Sequence, residues 1–331
     1  MSTDARFSPN FPSPPAGKTG WPWDTPIRRL PEKMPNGQPW PKISVVTPAY
    51  NQAQYLEETI RSVLLQGYPN LEYIVIDDEA TDHTPEIIQK YEPWLAYTAR
   101  QKNRGQGNAI NHGFRFSSGE LMGWLNSDDV LLPRALERSA LARRRDPKVK
   151  VTCGFRQVID SQSKLMRDWI HPLPEKFDLA RCCYIAQETV LWNREVWEKV
   201  GPLEEHWRVI LDYEYWQRLM AHGYEFTLLP YFLGQFRSYA QGKTSAMADA
   251  MQRECETLYA RYVGREMTVW DAFEQSNLWI KYRLLRGVPR RMFHSALVSR
   301  AVLRWVEIVS GVMQDTQAVR TRKRGQYNAI N

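Results

Sequence analysis

Two adjacent carboxylates, Asp128-Asp129, are the clearest chemical signal in the chain. They follow Leu121-Met122-Gly123-Trp124-Leu125, an apolar run that reads as a buried strand, and then Asn126-Ser127. Unpaired charge beside a buried strand is costly, so something cationic is expected there. A hard divalent ion, Mg²⁺ or Mn²⁺, is typically held by one or two carboxylates while substrate phosphates and water complete its shell. Taken alone, the pair better suits a solvated helix start ahead of Leu131-Leu132-Pro133, and its context reverses that reading. A second acidic turn, Asp77-Asp78-Glu79-Ala80-Thr81-Asp82, follows the β-branched run Tyr73-Ile74-Val75-Ile76. A third acid, Asp212, opens a helical segment together with Glu214, where the helix dipole also favours carboxylates.

These groups need strands and helices to hold them, and the sequence supplies an alternation of the two from Lys42 onward. Strands are expected at 43–47, 73–76, 95–99 and 121–125, with the first ending at Pro48. Helices are expected at 55–66, from Thr84 as N-cap with Pro85 in the first helical position, and from the Asn103-Arg104-Gly105-Gln106-Gly107 segment to Phe116. This pattern marks βαβ units and a largely parallel sheet. Ligands of such sheets bind outside the carboxyl ends of the strands, so the two acidic strand ends converge on one crevice.

Three regions follow. Residues 1–41 are rich in proline, carry Trp21, Trp23 and Trp40 without periodicity, and read as an extended arm draped over the main domain. Residues 42–240 form the α/β domain. Residues 241–331 form a helical appendage with stretches at 246–263, 268–285 and 290–313 and a basic tail. In the last stretch Phe293, Leu297, Ala301, Trp305, Ile308 and Val312 fill one stripe, and Arg300, Arg304 and Glu307 another.

Composition narrows the classes. With 331 residues and 43% hydrophobic content the chain can bury a sizeable core. The net charge of +7 is concentrated in segments 282–291 and 320–324, a local patch compatible with an anionic membrane surface and not a nucleic-acid fold. The first twenty residues lack a signal-peptide core, and no apolar run is long enough to span a bilayer, so the expected place is the cytoplasm or the inner face of its membrane. The four cysteines, Cys153, Cys182, Cys183 and Cys255, form no zinc pattern. None of the histidines stands in an H-x-x-x-H or H-E-x-x-H arrangement.

Residues 44–51 (Ser-Val-Val-Thr-Pro-Ala-Tyr-Asn), the 77–82 turn, residues 103–111 and Trp124-Leu125-Asn126-Ser127-Asp128-Asp129 together resemble the family 2 glycosyltransferases of the GT-A fold. The similarity continues through Gln187-Glu188-Thr189, residues 194–201 and residues 211–216. The resemblance implies a Rossmann-like, mostly parallel sheet flanked by helices and an inverting transfer of sugar from a nucleotide-diphosphate sugar to an acceptor hydroxyl. A UDP-sugar is the favoured donor, with GDP- and TDP-sugars as further candidates, and the acceptor would be a glycan or a lipid-linked glycan. It implies that Pro48, Ala49, Tyr50, Asn51 and Asp77 hold base and ribose, with Asp82 and Arg104 close by. It implies Asp129 as the direct ligand of Mg²⁺ or Mn²⁺, with Asp128 nearer the ribose or sugar, and Asp212 as the general base.

The chain departs from the family pattern at three points. Glu79, Ala80 and His83 replace glycines and other small residues of the nucleotide turn. Leu211 stands where an acid usually precedes the base. Tyr239 stands where an R-x-H segment places a metal-binding histidine, and a phenol is a poor ligand for Mg²⁺. These departures motivate a second reading, a catalytically inactive sugar-nucleotide or glycan-binding scaffold. Nucleotidyl transfer, a third reading, needs a glycine-rich phosphate loop that residues 47–53 do not supply.

Overall fold

The computed structural model describes residues 10–268, apart from 27, 173 and 175–178, together with 271, 284, 285, 302, 305 and 306. Most of the helical stretches expected at 268–285 and 290–313, most of the basic segment 282–291, and all of 320–324 lie outside the described residues.

Strands β1 (Ile43–Ala49), β2 (Leu71–Asp77), β3 (Tyr97–Arg100) and β4 (Leu121–Trp124) form a parallel half-sheet in the order β3-β2-β1-β4. Their continuous apolar runs follow from burial on both faces. Val45, Tyr73 and Val75 pack into one core, with helix α1 (Ala53–Leu64) and helix α2 (Thr84–Tyr91). Val46, Ile74, Ile76 and Met122 pack into the other, against helix α3 (Gln106–Arg115). Gly113 permits that approach, because a Cβ there would stand 2.5 Å from Val46 Cγ1.

β1 runs two residues past its expected end, through Pro48. Leu125 N–H donates to Val46 O and Asp78 N–H to Ala49 O, so even-numbered residues of β1 turn their backbone groups toward β4. Pairing with β4 stops at Val46, and proline's missing donor therefore has no acceptor to disappoint. The expected threonine cap of α2 is also corrected. Thr84 is the first helical residue, its N–H donates to Asp82 Oδ1 at 3.0 Å, and its hydroxyl accepts from Gln52 N–H at 3.0 Å.

Beyond β4 the sheet is mixed. β5 (Val130–Leu131), β6 (Val151–Ile159), β7 (Leu165–Trp169), β8 (Leu191–Asn193) and β9 (Phe226–Arg237) complete nine strands in the order β3-β2-β1-β4-β8-β6-β9-β5, with β7 hairpinned onto β6. β8 is antiparallel to both β4 and β6, and this restores β6 to the direction of β4. The carboxyl end of β6 therefore joins those of β1, β2 and β4.

Helices α4 (Ala135–Arg145), α5 (Arg194–Val200), α6 (Leu211–Ala221), α7 (Lys243–Ala246) and α8 (Ala248–Val263) follow, the last ending close to the expected 263. One contact fixes the site's geometry. Trp124 at the end of β4 stacks on Trp216 of α6, with centroids 5.6 Å apart and planes 18° apart, and Trp192 of β8 meets both edge-on. Such pairs contribute about 0.5–1.5 kcal/mol each beyond buried area, and here they join the Asp128 loop to the Asp212 helix.

Phe11, Pro12, Pro22 and Trp23 of the N-terminal segment lie against α1. Arg61, 3% exposed, donates to the carbonyls of Pro12, Pro22 and Trp23 and to Tyr91 Oη, and its guanidinium stacks on Phe11 and Trp23.

Candidate active site

A cleft of about 910 Å³ opens at the carboxyl ends of β1, β2, β4 and β6. Pro48, Ala49 and Tyr50 line it from β1, Asp78 and Arg104 from the neighbouring loops, Asp128 and Asp129 from beyond β4, and Asp212 from the start of α6. The two acidic strand ends do meet, and a third carboxylate joins them.

Three of the residues expected at the nucleotide do not line the cleft. Asp77 is 3% exposed, accepts from Ala80 N–H at 2.8 Å, and pairs with Arg100 at 2.8 Å. Asp82 accepts from Ala53 N–H at 2.9 Å as well as from Thr84, and these bonds hold its carboxyl below the usual range against the opposing effect of burial. Asn51, at φ 51°, accepts from Thr81 N–H at 2.7 Å. All three build the turn, and the acid facing the cleft is Asp78. Burial raises its proton affinity, and Gln101 donates to it at 2.8 Å.

Asp129 is 2% exposed; Arg237 N–H donates to its Oδ1 at 3.0 Å and Asn126 to its Oδ2 at 3.2 Å. Burial, then the charges of Asp128 and Glu188, push its carboxyl well above the usual range. Asp128 is half-buried and likewise raised by burial, and Tyr239 Oη donates to its Oδ2 at 2.9 Å. Tyr239 therefore occupies the place beside the acidic pair that the R-x-H comparison assigns to histidine. Asp128 Oδ1 has no side-chain partner among the described residues. Among those residues no group of three or more His, Cys, Asp or Glu converges into a protein-only metal cage. Two crowded hard-oxygen donors at the mouth of a nucleotide-sized cleft instead suit a cation whose remaining ligands are phosphate and water.

Arg237 holds this loop in place. Its side chain is fully buried, pairs with Glu58 at 2.8 Å, and donates to Asp128 O at 2.9 Å, Asp160 O at 3.1 Å and Ser163 Oγ at 2.9 Å. Asp212 sits at the first turn of α6. Burial raises its proton affinity, while Tyr213 N–H at 2.8 Å and the charges of Arg156 and Lys243 oppose that rise.

Sequence reasoning did not single out Asp78, Glu188, Arg156 or Lys243 as site residues. Glu188 is 4% exposed, pairs with Arg156 at 3.0 Å, and is raised by burial. Gly234 makes room for it, since a Cβ there would lie 2.5 Å from Glu188 Cγ. An acid flanked by two polar residues, Gln187 and Thr189, was the available signal.

Residues 44–196 match the family described as glycosyl transferase family 2. That segment is a glycosyl transferase family 2 domain. An uncharacterized glycosyltransferase of a Nostoc species is 33% identical over 184 residues, covering 52% of this chain and 57% of that protein. The chain thus spans under three fifths of the length of that relative. Two solved structures share the GT-A-type fold. Staphylococcus aureus TarS 1-349 in complex with UDP-GlcNAc has a TM-score of 0.54 at 17% identity, covering 80% of this chain and 90% of that one. The mannosyltransferase PcManGT of Pyrobaculum calidifontis in complex with GDP-Man and Mn²⁺ has a TM-score of 0.53 at 18% identity, covering 89% and 84%.

Proposed function

We propose that the chain is an inverting, metal-dependent glycosyltransferase that moves a sugar from a nucleotide-diphosphate sugar, a UDP-sugar by preference, onto a hydroxyl of a glycan or lipid-linked glycan. The observation that carries this reading is the meeting of three separate segments in one cleft: the β1–β2 ends, the Asp128-Asp129 pair, and Asp212. Complexes of the fold relatives with UDP-GlcNAc, and with GDP-Man and Mn²⁺, support the donor class.

Tyr50, Asp78 and Arg104 would receive the nucleotide. Mg²⁺ or Mn²⁺, held by Asp128 and Asp129, would offset charge building on the departing diphosphate. Asp212 would accept the acceptor hydroxyl's proton as that oxygen attacks the anomeric carbon from the opposite face. Burial strengthens it as a base, and the charges of Arg156 and Lys243 offset part of that rise. Tyr239 orients Asp128 through its hydroxyl, and Arg237 fixes the main chain that carries both acids. The basic C-terminal region would dock on an anionic inner membrane surface, which co-sedimentation with anionic liposomes at low salt would test.

Asp212→Asn and Asp129→Ala separate the roles. Asp212→Asn should abolish transfer and leave nucleotide affinity nearly intact, whereas Asp129→Ala should weaken metal-dependent nucleotide binding. Turnover by Asp212→Asn equal to that of the unmodified protein would overturn the assignment.

A further inference from the structure

One wall of the cleft is the β6–β7 hairpin. β6 and β7 pair so that Arg156 lies opposite Trp169 and Val158 opposite Arg167, and all four residues line the cleft. Strand alternation puts residues two apart on one face, so the wall presents an aromatic ring with a guanidinium on either side. The two arginines differ in how they are engaged. Arg156 pairs with Glu188 at 3.0 Å and stacks over Phe236 at 5.0 Å. Arg167 is exposed, lies 5.7 Å from the centroid of the Trp169 ring, and has no carboxylate partner among the described residues. Trp169 is half-buried, with its indole N–H donating to Tyr184 O at 3.3 Å.

Strand order says which substrate this wall meets. Along the sheet, β2 and β1 carry the groups assigned to the nucleotide, β4 carries the acidic pair, and β6 with its hairpin stands beyond β8, on the far side of β4 from β1, ahead of β9 and β5. A donor laid out from base to diphosphate in that direction ends with its sugar short of the hairpin. Arg156 and Asp212 line the same cleft, and the Arg156 charge opposes the rise in the Asp212 carboxyl's proton affinity. The hairpin thus stands on the base's side of the reacting carbon. We propose, on the footing of the glycosyltransferase reading above, that the β6–β7 hairpin is the acceptor platform and that it takes an acidic saccharide. Arg167 pairs with a carboxylate or phosphate on the sugar that lies along the hairpin.

The test uses the full chain and three matched probes: methyl glucuronide, the 6-phosphate of methyl glucoside, and methyl glucoside itself. Each is titrated by saturation-transfer NMR at low salt, with saturating UDP or GDP and Mn²⁺. One or both anionic probes should bind roughly fivefold tighter than the neutral one, the scale of a single exposed ion pair, and which one does so distinguishes a uronate from a sugar phosphate. Arg167→Ala should remove the preference and Arg167→Glu should reverse it, both with unchanged nucleotide affinity. Equal binding of all three probes, binding of none, or a preference that survives Arg167→Glu would overturn the proposal. Nucleotide affinity in the same samples tests the underlying reading separately: its absence removes the enzyme assignment, while a charge preference lost in Arg167→Ala would still establish the platform.

Discussion

Replacing Arg237 with alanine should be among the most damaging single changes available to this chain. The side chain is fully buried and its carboxylate partner Glu58 is 6% exposed, so removing one member leaves an uncompensated buried charge at a cost of about 3–5 kcal/mol. The carbonyls of Asp128 and Asp160 also lose their donor, which adds about 1 kcal/mol each before relaxation. The total, about 5–7 kcal/mol, rivals the whole stability of many domains, about 5–15 kcal/mol. Urea unfolding followed by tryptophan fluorescence reads this directly. Glu58→Gln provides the control: with the charge gone from both positions, Arg237→Ala/Glu58→Gln should recover about 2 kcal/mol relative to the sum of the single changes. Metal-dependent nucleotide binding should fall in Arg237→Ala even below the denaturant midpoint, because the Asp128-Asp129 loop loses its anchor. A loss under about 1 kcal/mol, or a double variant no better than the sum, would refute the reasoning.

Further outcomes follow from other contacts. Gly234→Ala should displace Glu188 and cost about 1–3 kcal/mol, with turnover reduced more than nucleotide affinity, as unfolding and steady-state kinetics would measure. Arg61→Ala should release the proline-rich arm, destabilising the protein by about 2–4 kcal/mol and speeding tryptic cleavage near Arg28 and Arg29. Because Asp212 works only when ionised and burial raises its proton affinity, turnover should rise with pH through an acid limb above the ordinary aspartate range; a limb at ordinary values would remove Asp212 from the role. Tyr239→His should strengthen Mn²⁺-dependent nucleotide binding by supplying an imidazole beside Asp128, read by calorimetry.

The parallel half of the sheet and the meeting of the 77–82 turn with Asp128 and Asp129 were legible from residue order, because apolar runs ending in acids carry their own positional information; Asp212 was reached through the family resemblance alone. The choice between Asp77 and Asp78 was not. It depends on register: Asp77 stands opposite Arg100, and strand 3 read as ending at Ala99 left that partner out of view. Asp82 and Asn51 were taken for ligand contacts because an acid that bonds the first N–H of a helix and an amide that pins a turn look, in sequence, like those that touch substrate. Arg237 looked like one residue of a motif; its weight comes from partners at 58, 128, 160 and 163, a convergence that only tertiary structure creates. The mixed half of the sheet escaped because β5 and β8 are two and three residues long, too short to carry a periodic signal.

The central claim, that this cleft binds a nucleotide-diphosphate through a divalent cation, is tested most directly by calorimetric titration of the full chain with UDP, GDP and TDP in Mn²⁺, in Mg²⁺ and in EDTA. The predicted result is selective binding of one nucleotide with metal, lost in EDTA and in Asp128→Ala. Failure of all three nucleotides to bind with either metal, or binding unaffected by EDTA, would contradict it.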